Sequence, residues 1–331
     1  MPAVSPYIEI PTIDISGLYF QQPDPNYKLA SKRLFNAVKE FGFANIINHN
    51  LLHSNQEKLN SESVKFFQDK DASVRNSVRR NEFTSRGFAD NELTKQKLDN
   101  KMVFDFANPL TETPKSLDLQ NYSEGINQWP KDREEFKNSC LTQFFALDKL
   151  ALIIFKALIF ELNLDFDTVY KSLDLDFREA KMRLNYYPIE KDVSFGVYDH
   201  ADPGLITLLW QQKSGLEAFH VKTQQWLKVN PIEGAFVLNI GDMFQVLSNN
   251  VLKAAIHRVK MDGDSTVTAE NNYRLSSPFF FNPGFKSTVK PFTKSEKPVY
   301  KALNWAEFRL KRTLGNYADH GLEVQIDQYL I

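Results

Sequence analysis

Cysteine is nearly absent from this chain, and the single Cys140 excludes an internal disulfide framework and any cysteine-rich zinc site. One thiol fits a reducing, cytoplasmic setting. A basic surplus is missing too. Forty Lys and Arg stand against 41 Asp and Glu, for a net charge of −1, so the chain lacks the electrostatic footprint of a nucleic-acid binder. Long apolar runs are also lacking. The longest, Leu150–Phe155, stops at Lys156, far short of a membrane span. The opening MPAVSPYIEI has neither the basic nor the apolar segment of a signal peptide. No internal repeat, low-complexity block or Pro/Gly/Ser-rich linker divides the sequence, and nothing in it marks an oligomeric state. Histidine is scarce: His49, His53, His200, His220, His257 and His320 are all there is.

Aromatic residues are plentiful, with 27 Phe and 12 Tyr in 331 residues, which predicts an aromatic core or pocket. Apolar residues at helical spacing (Leu29, Leu34, Phe35, Val38, Phe41) predict a helix over 26–41 that Gly42 ends. Further helices are expected over about 54–68, 135–162 and 305–314. Short strand-like runs follow the third helix: 182–188, 205–210, 218–221, 226–229, 235–240, 257–261 and 274–281. Gly, Pro, Asn or Asp punctuates most of the gaps. Earlier runs at 43–49 and 101–106 also read as strands. The expected fold is mainly β with supporting helices: a sandwich, barrel or jelly roll, preceded by a helical N-terminal part and followed by a C-terminal helix. One domain over 1–331 is expected, with its N-terminal part ending near residue 115.

The chemistry starts from YDHADPGLITLL, Tyr198 to Leu209. On an extended strand, residues two apart share a face, so His200 and Asp202 are expected to converge, with Ala201 turned away. Two imidazoles and one carboxylate are the ligand set of non-haem Fe(II) oxygenases, and His257, heading HRVKM, is the candidate second imidazole. A lone His-x-Asp is nevertheless common by chance. His49, His53, His220 and His320 read as structural. Arg274 and Ser276 form another i, i+2 pair, in which a guanidinium fork and a hydroxyl suit a carboxylate. Asn185 and Tyr187 form a third.

Taken in order, these blocks resemble the isopenicillin N synthase-like family of Fe(II) and 2-oxoglutarate-dependent dioxygenases. IPTIDIS, FGFANIINHN (with Asn50 where Gly is usual), SRGF, NQWP, LNYYP, HADPGLITLL, GAFVLNIGDMFQVLSNNVLKAAIHRV and YRLSSPFFFNP carry the resemblance, from about residue 8 to about 315. It implies a double-stranded β-helix (jelly roll) core. It also implies Fe(II) held by His200, Asp202 and His257, with O2 as co-reactant. Arg274, Ser276 and Tyr187 would take the distal carboxylate of 2-oxoglutarate, and Asn185 would lie near its metal-bound end. Phe280 would line the substrate pocket, within an aromatic wall at Phe279–Phe281. The implied reaction oxidises a C–H bond of a small molecule by hydroxylation, desaturation or cyclisation, releasing succinate and CO2. A 2-oxoglutarate-independent oxidase like isopenicillin N synthase is the near rival, although the tail EVQIDQYLI, with Gln325 and Gln328, departs from that enzyme's near-terminal Gln pattern. A non-catalytic jelly-roll binding protein and a zinc hydrolase are more distant rivals.

Overall fold

Helix α1 (Pro25–Phe41) shows how local chemistry sets the elements. Asp24 caps it by accepting from Asn26 N at 2.7 Å, and Pro25 pre-sets the first turn. Gly42 closes it at φ 69°, and a Cβ there would lie 2.6 Å from Ala255 Cβ. The structure is a computed structural model that describes residues 8–81, 84–94, 97–109, 125–189, 195–261, 272–292, 297–317 and 324–331. Six further helices lie among them: α2 (His53–Phe67), α3 (Ala72–Asn76), α4 (Glu134–Glu161), α5 (Phe166–Ser172), α6 (Asp242–Leu247) and α7 (Trp305–Tyr317). The four long ones match the predicted spans to within a few residues. The short α3, α5 and α6 are too brief for periodicity to reveal. His320 and the expected boundary near residue 115 lie outside the described residues. No helix among those described is long and apolar enough to cross a membrane.

The strands are β1 (Thr12–Asp14), β2 (Phe43–Ile47), β3 (Gly87–Ala89), β4 (Leu93–Thr94), β5 (Lys97–Leu98), β6 (Met102–Ala107), β7 (Lys181–Pro188), β8 (Phe195–His200), β9 (Ile206–Gln211), β10 (Leu216–His220), β11 (Gln225–Lys228), β12 (Phe236–Ile240), β13 (His257–Lys260), β14 (Tyr273–Phe281), β15 (Thr288–Val289) and β16 (Leu303–Asn304). An eight-stranded sheet runs β1-β2-β12-β9-β14-β7-β6-β3, and a four-stranded sheet runs β11-β10-β13-β8. From β7 to β14 the chain keeps crossing between the two, with β7, β9, β12 and β14 in the large sheet and β8, β10, β11 and β13 in the small one. This winding is the double-stranded β-helix.

Strand alternation sorts the large sheet's two faces. Phe279 and Phe281 point toward the helices, with ring centroids 5.3 Å from Phe144 and 5.7 Å from Phe155 of α4. Arg274, Ser276, Pro278 and Phe280 point the other way, into a cavity between the sheets. The expected aromatic wall at Phe279–Phe281 is therefore corrected: only Phe280 faces the pocket, because consecutive strand residues cannot share a face. One buried apolar cluster joins residues of α1, α4, β9 and β14. Asn50, the departure at a glycine position, adopts φ 57°, the left-handed conformation that asparagine tolerates better than most side chains.

Candidate metal centre and cosubstrate pocket

Pairing of β13 with β8 sets His257 directly opposite His200. Strand β8 ends at His200, and Asp202 follows in the loop that leads to β9. The convergence of His200 and Asp202 is thus a loop geometry, not the strand alternation expected from their spacing. Two backbone bonds pin that loop under α6: Asp242 N donates to Asp202 O at 2.8 Å and Met243 N to Gly204 O at 2.9 Å. The approach is close enough that a Cβ on Gly241 would sit 2.4 Å from Gly204 O.

Three ligand atoms, one from each of His200, Asp202 and His257, lie within 4.8 Å of one another. Asp202 Oδ1 is 3.9 Å from His200 Nε2 and 3.8 Å from His257 Nε2. Each imidazole donates from Nδ1 to the carbonyl two residues before it, His200 to Tyr198 O at 2.8 Å and His257 to Ala255 O at 3.1 Å. A carbonyl can only accept, so the proton is fixed on Nδ1 and the Nε2 lone pair faces the cluster. Burial, reinforced by His257 alongside, pushes His200 down to about 3, so its ring is neutral and ready to ligate. Burial opposes ionisation of Asp202, but the two imidazoles and hydrogen bonds from Thr207 and Asn239 outweigh it and hold the carboxyl below its ordinary range. Thr207 Oγ1 (2.6 Å) and Asn239 Nδ2 (2.8 Å) both donate to Asp202 Oδ2, leaving Oδ1 for the cluster. These donors suit a divalent cation with two imidazoles and one carboxylate on one side of it.

Arg274 is fully enclosed. Its Nε donates to Lys213 O and Ser214 O, both at 3.1 Å, and its Nη2 to Gln211 Oε1 at 3.0 Å. Its Nη1 is buried with no partner, and no carboxylate pairs with it among the described residues. Burial lowers its pKa. A buried guanidinium with an unused donor is an anion site. The ring of Tyr187 lies 5.1 Å from its Cζ, and Asn185 Nδ2 donates to Ser276 Oγ at 3.3 Å. All four residues line a cavity of about 90 Å³ that also reaches His200, Asp202 and His257.

A second cavity, of about 140 Å³, also borders His200 and Asp202. Its wall holds a buried ionic cluster in which Arg183 bridges Glu92 and Asp105 with four bonds of 2.7–2.8 Å. Arg80 reaches the same two acids, Lys101 pairs with Asp99 at 2.8 Å, and Lys181 lies 3.1 Å from Asp105. Phe280 borders both cavities.

Every site residue expected from the sequence therefore borders this connected space. Thr207, Asn239 and the ionic cluster were not anticipated. The cluster had one visible sign, because Lys181 and Arg183 continue the i, i+2 stripe of Asn185 and Tyr187 along β7. Among the described residues, the remaining histidines lie in other surroundings. His49 Nε2 lies 2.9 Å from Gly234 O, His220 Nδ1 lies 2.9 Å from Thr223 Oγ1, and His53 stands exposed beside Glu57.

Residues 178–283 match the family model of the 2OG-Fe(II) oxygenase superfamily, and residues 10–132 match that of the non-haem dioxygenase in morphine synthesis N-terminal region. Among curated relatives, DMR6-LIKE OXYGENASE 2 of Arabidopsis thaliana is 26% identical over 311 residues, covering 90% of this chain and 82% of its own. Feruloyl CoA ortho-hydroxylase 1 of the same plant is 27% identical over 310 residues, covering 90% and 78%. Among solved structures, JOX2 in complex with 2OG, Fe and JA superposes with a TM-score of 0.78 at 23% identity, covering 98% of this chain and 90% of that one. A full-length Neurospora crassa protein in complex with alpha-KG and thymine gives 0.76 at 21%, covering 92% and 96%. The chain belongs to the 2OG-Fe(II) oxygenase superfamily and is a non-haem iron, 2-oxoglutarate-dependent dioxygenase that oxidises a small molecule.

Proposed function

We propose that His200, Asp202 and His257 hold the Fe(II), and that Arg274, Ser276 and Tyr187 hold the distal carboxylate of 2-oxoglutarate. Asn185 stands near the cosubstrate's metal-bound end, and Phe280 lines the prime-substrate pocket. The observation that carries this reading is the pair of Nδ1-tethered imidazoles converging on an Asp202 oxygen left free by Thr207 and Asn239. When bound, iron and 2-oxoglutarate supply with dioxygen the oxidising power for a C–H bond, and succinate and CO2 are released. The protein's part is positioning. Arg274 neutralises the far carboxylate and fixes the cosubstrate's direction, Thr207 and Asn239 aim Asp202, and Phe280 with Val197 screens the site from water. The chain works as one domain, because its helices and β core share one apolar cluster. The proposed setting is cytoplasmic, with no nucleic-acid or membrane partner, consistent with a net charge of −1 and one buried thiol.

The test is anaerobic Fe(II) titration together with 2-oxoglutarate consumption in the wild type and His200→Ala. The variant is expected to lose both. Consumption at the parent rate would overturn the ligand assignment.

A further inference from the structure

One face of β7 carries Lys181, Arg183, Asn185 and Tyr187 in line. In the reading above, on which this inference rests, the Tyr187 end belongs to 2-oxoglutarate. The Lys181 end has no ligand assigned. The Lys181 side chain is 10% exposed and lines the larger cavity. Its nearest acid oxygen, Asp105 Oδ2 at 3.1 Å, also accepts from Arg183 Nη2 at 2.8 Å and from Arg80. One oxygen thus serves three cations. The Lys181 ammonium has three protons to donate, and Asp105 is its sole acidic partner among the described residues. Burial pulls it down to about 7 against the attraction of Asp105, aided by the charges of Arg183, Arg309 and Arg80. A cation so placed is short of negative charge on its cavity side. Leu93, Val197, Pro203 and Phe280 supply apolar stretches of the wall; Arg309 and Arg312 also line it, paired with Glu179 and Asp242, and His200 and Asp202 border the same cavity.

We propose that Lys181 anchors the prime substrate through a carboxylate, so that the substrate class is small monocarboxylic acids with an apolar body directed toward His200 and Asp202. A single under-compensated ammonium matches the one negative charge of a carboxylate, whereas a phosphate dianion would bring a second charge with no cation left among the described residues to meet it.

The test uses the holoenzyme loaded with Fe(II) and 2-oxoglutarate under anaerobic conditions. It is titrated calorimetrically with a panel of aliphatic and aryl monocarboxylic acids and with the primary amide of each. At least one acid is expected to bind tenfold or more tighter than its amide. Lys181→Met should abolish that preference and Lys181→Arg should keep it. Amides that bind as well as their acids, a panel in which no acid binds, or a folded Lys181→Met protein that retains the preference would each overturn the proposal. 2-Oxoglutarate affinity, measured on the same proteins, separates the two readings. If the wild type fails to bind 2-oxoglutarate, the cosubstrate assignment fails. The acid–amide comparison, repeated without 2-oxoglutarate, then judges Lys181 by itself.

Discussion

The two ends of β7 hold positive charge in opposite ways. At the Tyr187 end a lone guanidinium, Arg274, is fixed by carbonyls and one amide and keeps a donor in reserve. At the Lys181 end several cations crowd around the carboxylates of Glu92, Asp99 and Asp105. In the proposed reading the first is a socket that accepts its counter-charge with the cosubstrate. The second already holds most of its counter-charge and stiffens the wall, with Lys181 left under-compensated. A pocket wall can therefore be strongly cationic while only one member of it is available to a ligand.

Substitutions can separate the two ends. The largest effect is expected at the centre they share: Asp202→Ala should abolish Fe(II) binding and turnover, as an anaerobic metal titration would show. Asp105→Asn should cost about 3–5 kcal/mol of folding stability in urea, because it leaves the buried cations a carboxylate short. The same cluster carries a pH signature. Burial opposes ionisation of Glu92 and Asp105, but Arg183, Arg80, Lys101 and Lys181 outweigh it and hold both well below their usual range. Folded-state values below the unfolded ones mean that this contribution is complete above about pH 5 and is lost as pH falls through the acid range. Asp105→Asn should flatten that dependence. Arg274→Ala should weaken 2-oxoglutarate by about 2–5 kcal/mol, read by calorimetry, while leaving the acid-over-amide preference at Lys181 intact. Asn239→Ala should cost roughly 10- to 100-fold in Fe(II) affinity, since Asp202 loses one of the two donors that orient it.

The legibility of the site follows the same division. Arg274 with Ser276 and Asn185 with Tyr187 each lie two apart on one strand, so local spacing was enough to pair them. The proposed iron ligands were readable as residues but not as geometry, because β8 ends at His200 and a loop carries Asp202. Thr207 and Asn239 lie within the quoted motif blocks, yet nothing local links position 239 to 202 until β12 pairs with β9, where Asn239 stands opposite Thr207. The ionic cluster was least legible. It gathers Arg80, Glu92, Asp99, Lys101, Asp105, Lys181 and Arg183 from separate segments: the pairing of β6 with β7 brings Asp105 beside Lys181 and Arg183, and the other four arrive on connecting segments outside those strands. Short helices such as α6 escaped for another reason: six residues are too few for a helical period to show.

The two proposed anion sites, Lys181 on β7 and Arg274 on the neighbouring β14, allow a direct trial. A crystal structure of the Fe(II) and 2-oxoglutarate complex would show which cation takes the cosubstrate's distal carboxylate. That carboxylate is expected on Arg274 Nη1, beside Ser276 and Tyr187, with Lys181 left to the second cavity. A distal carboxylate on Lys181 or Arg183, with Arg274 unliganded, would contradict the assignment of the two ends.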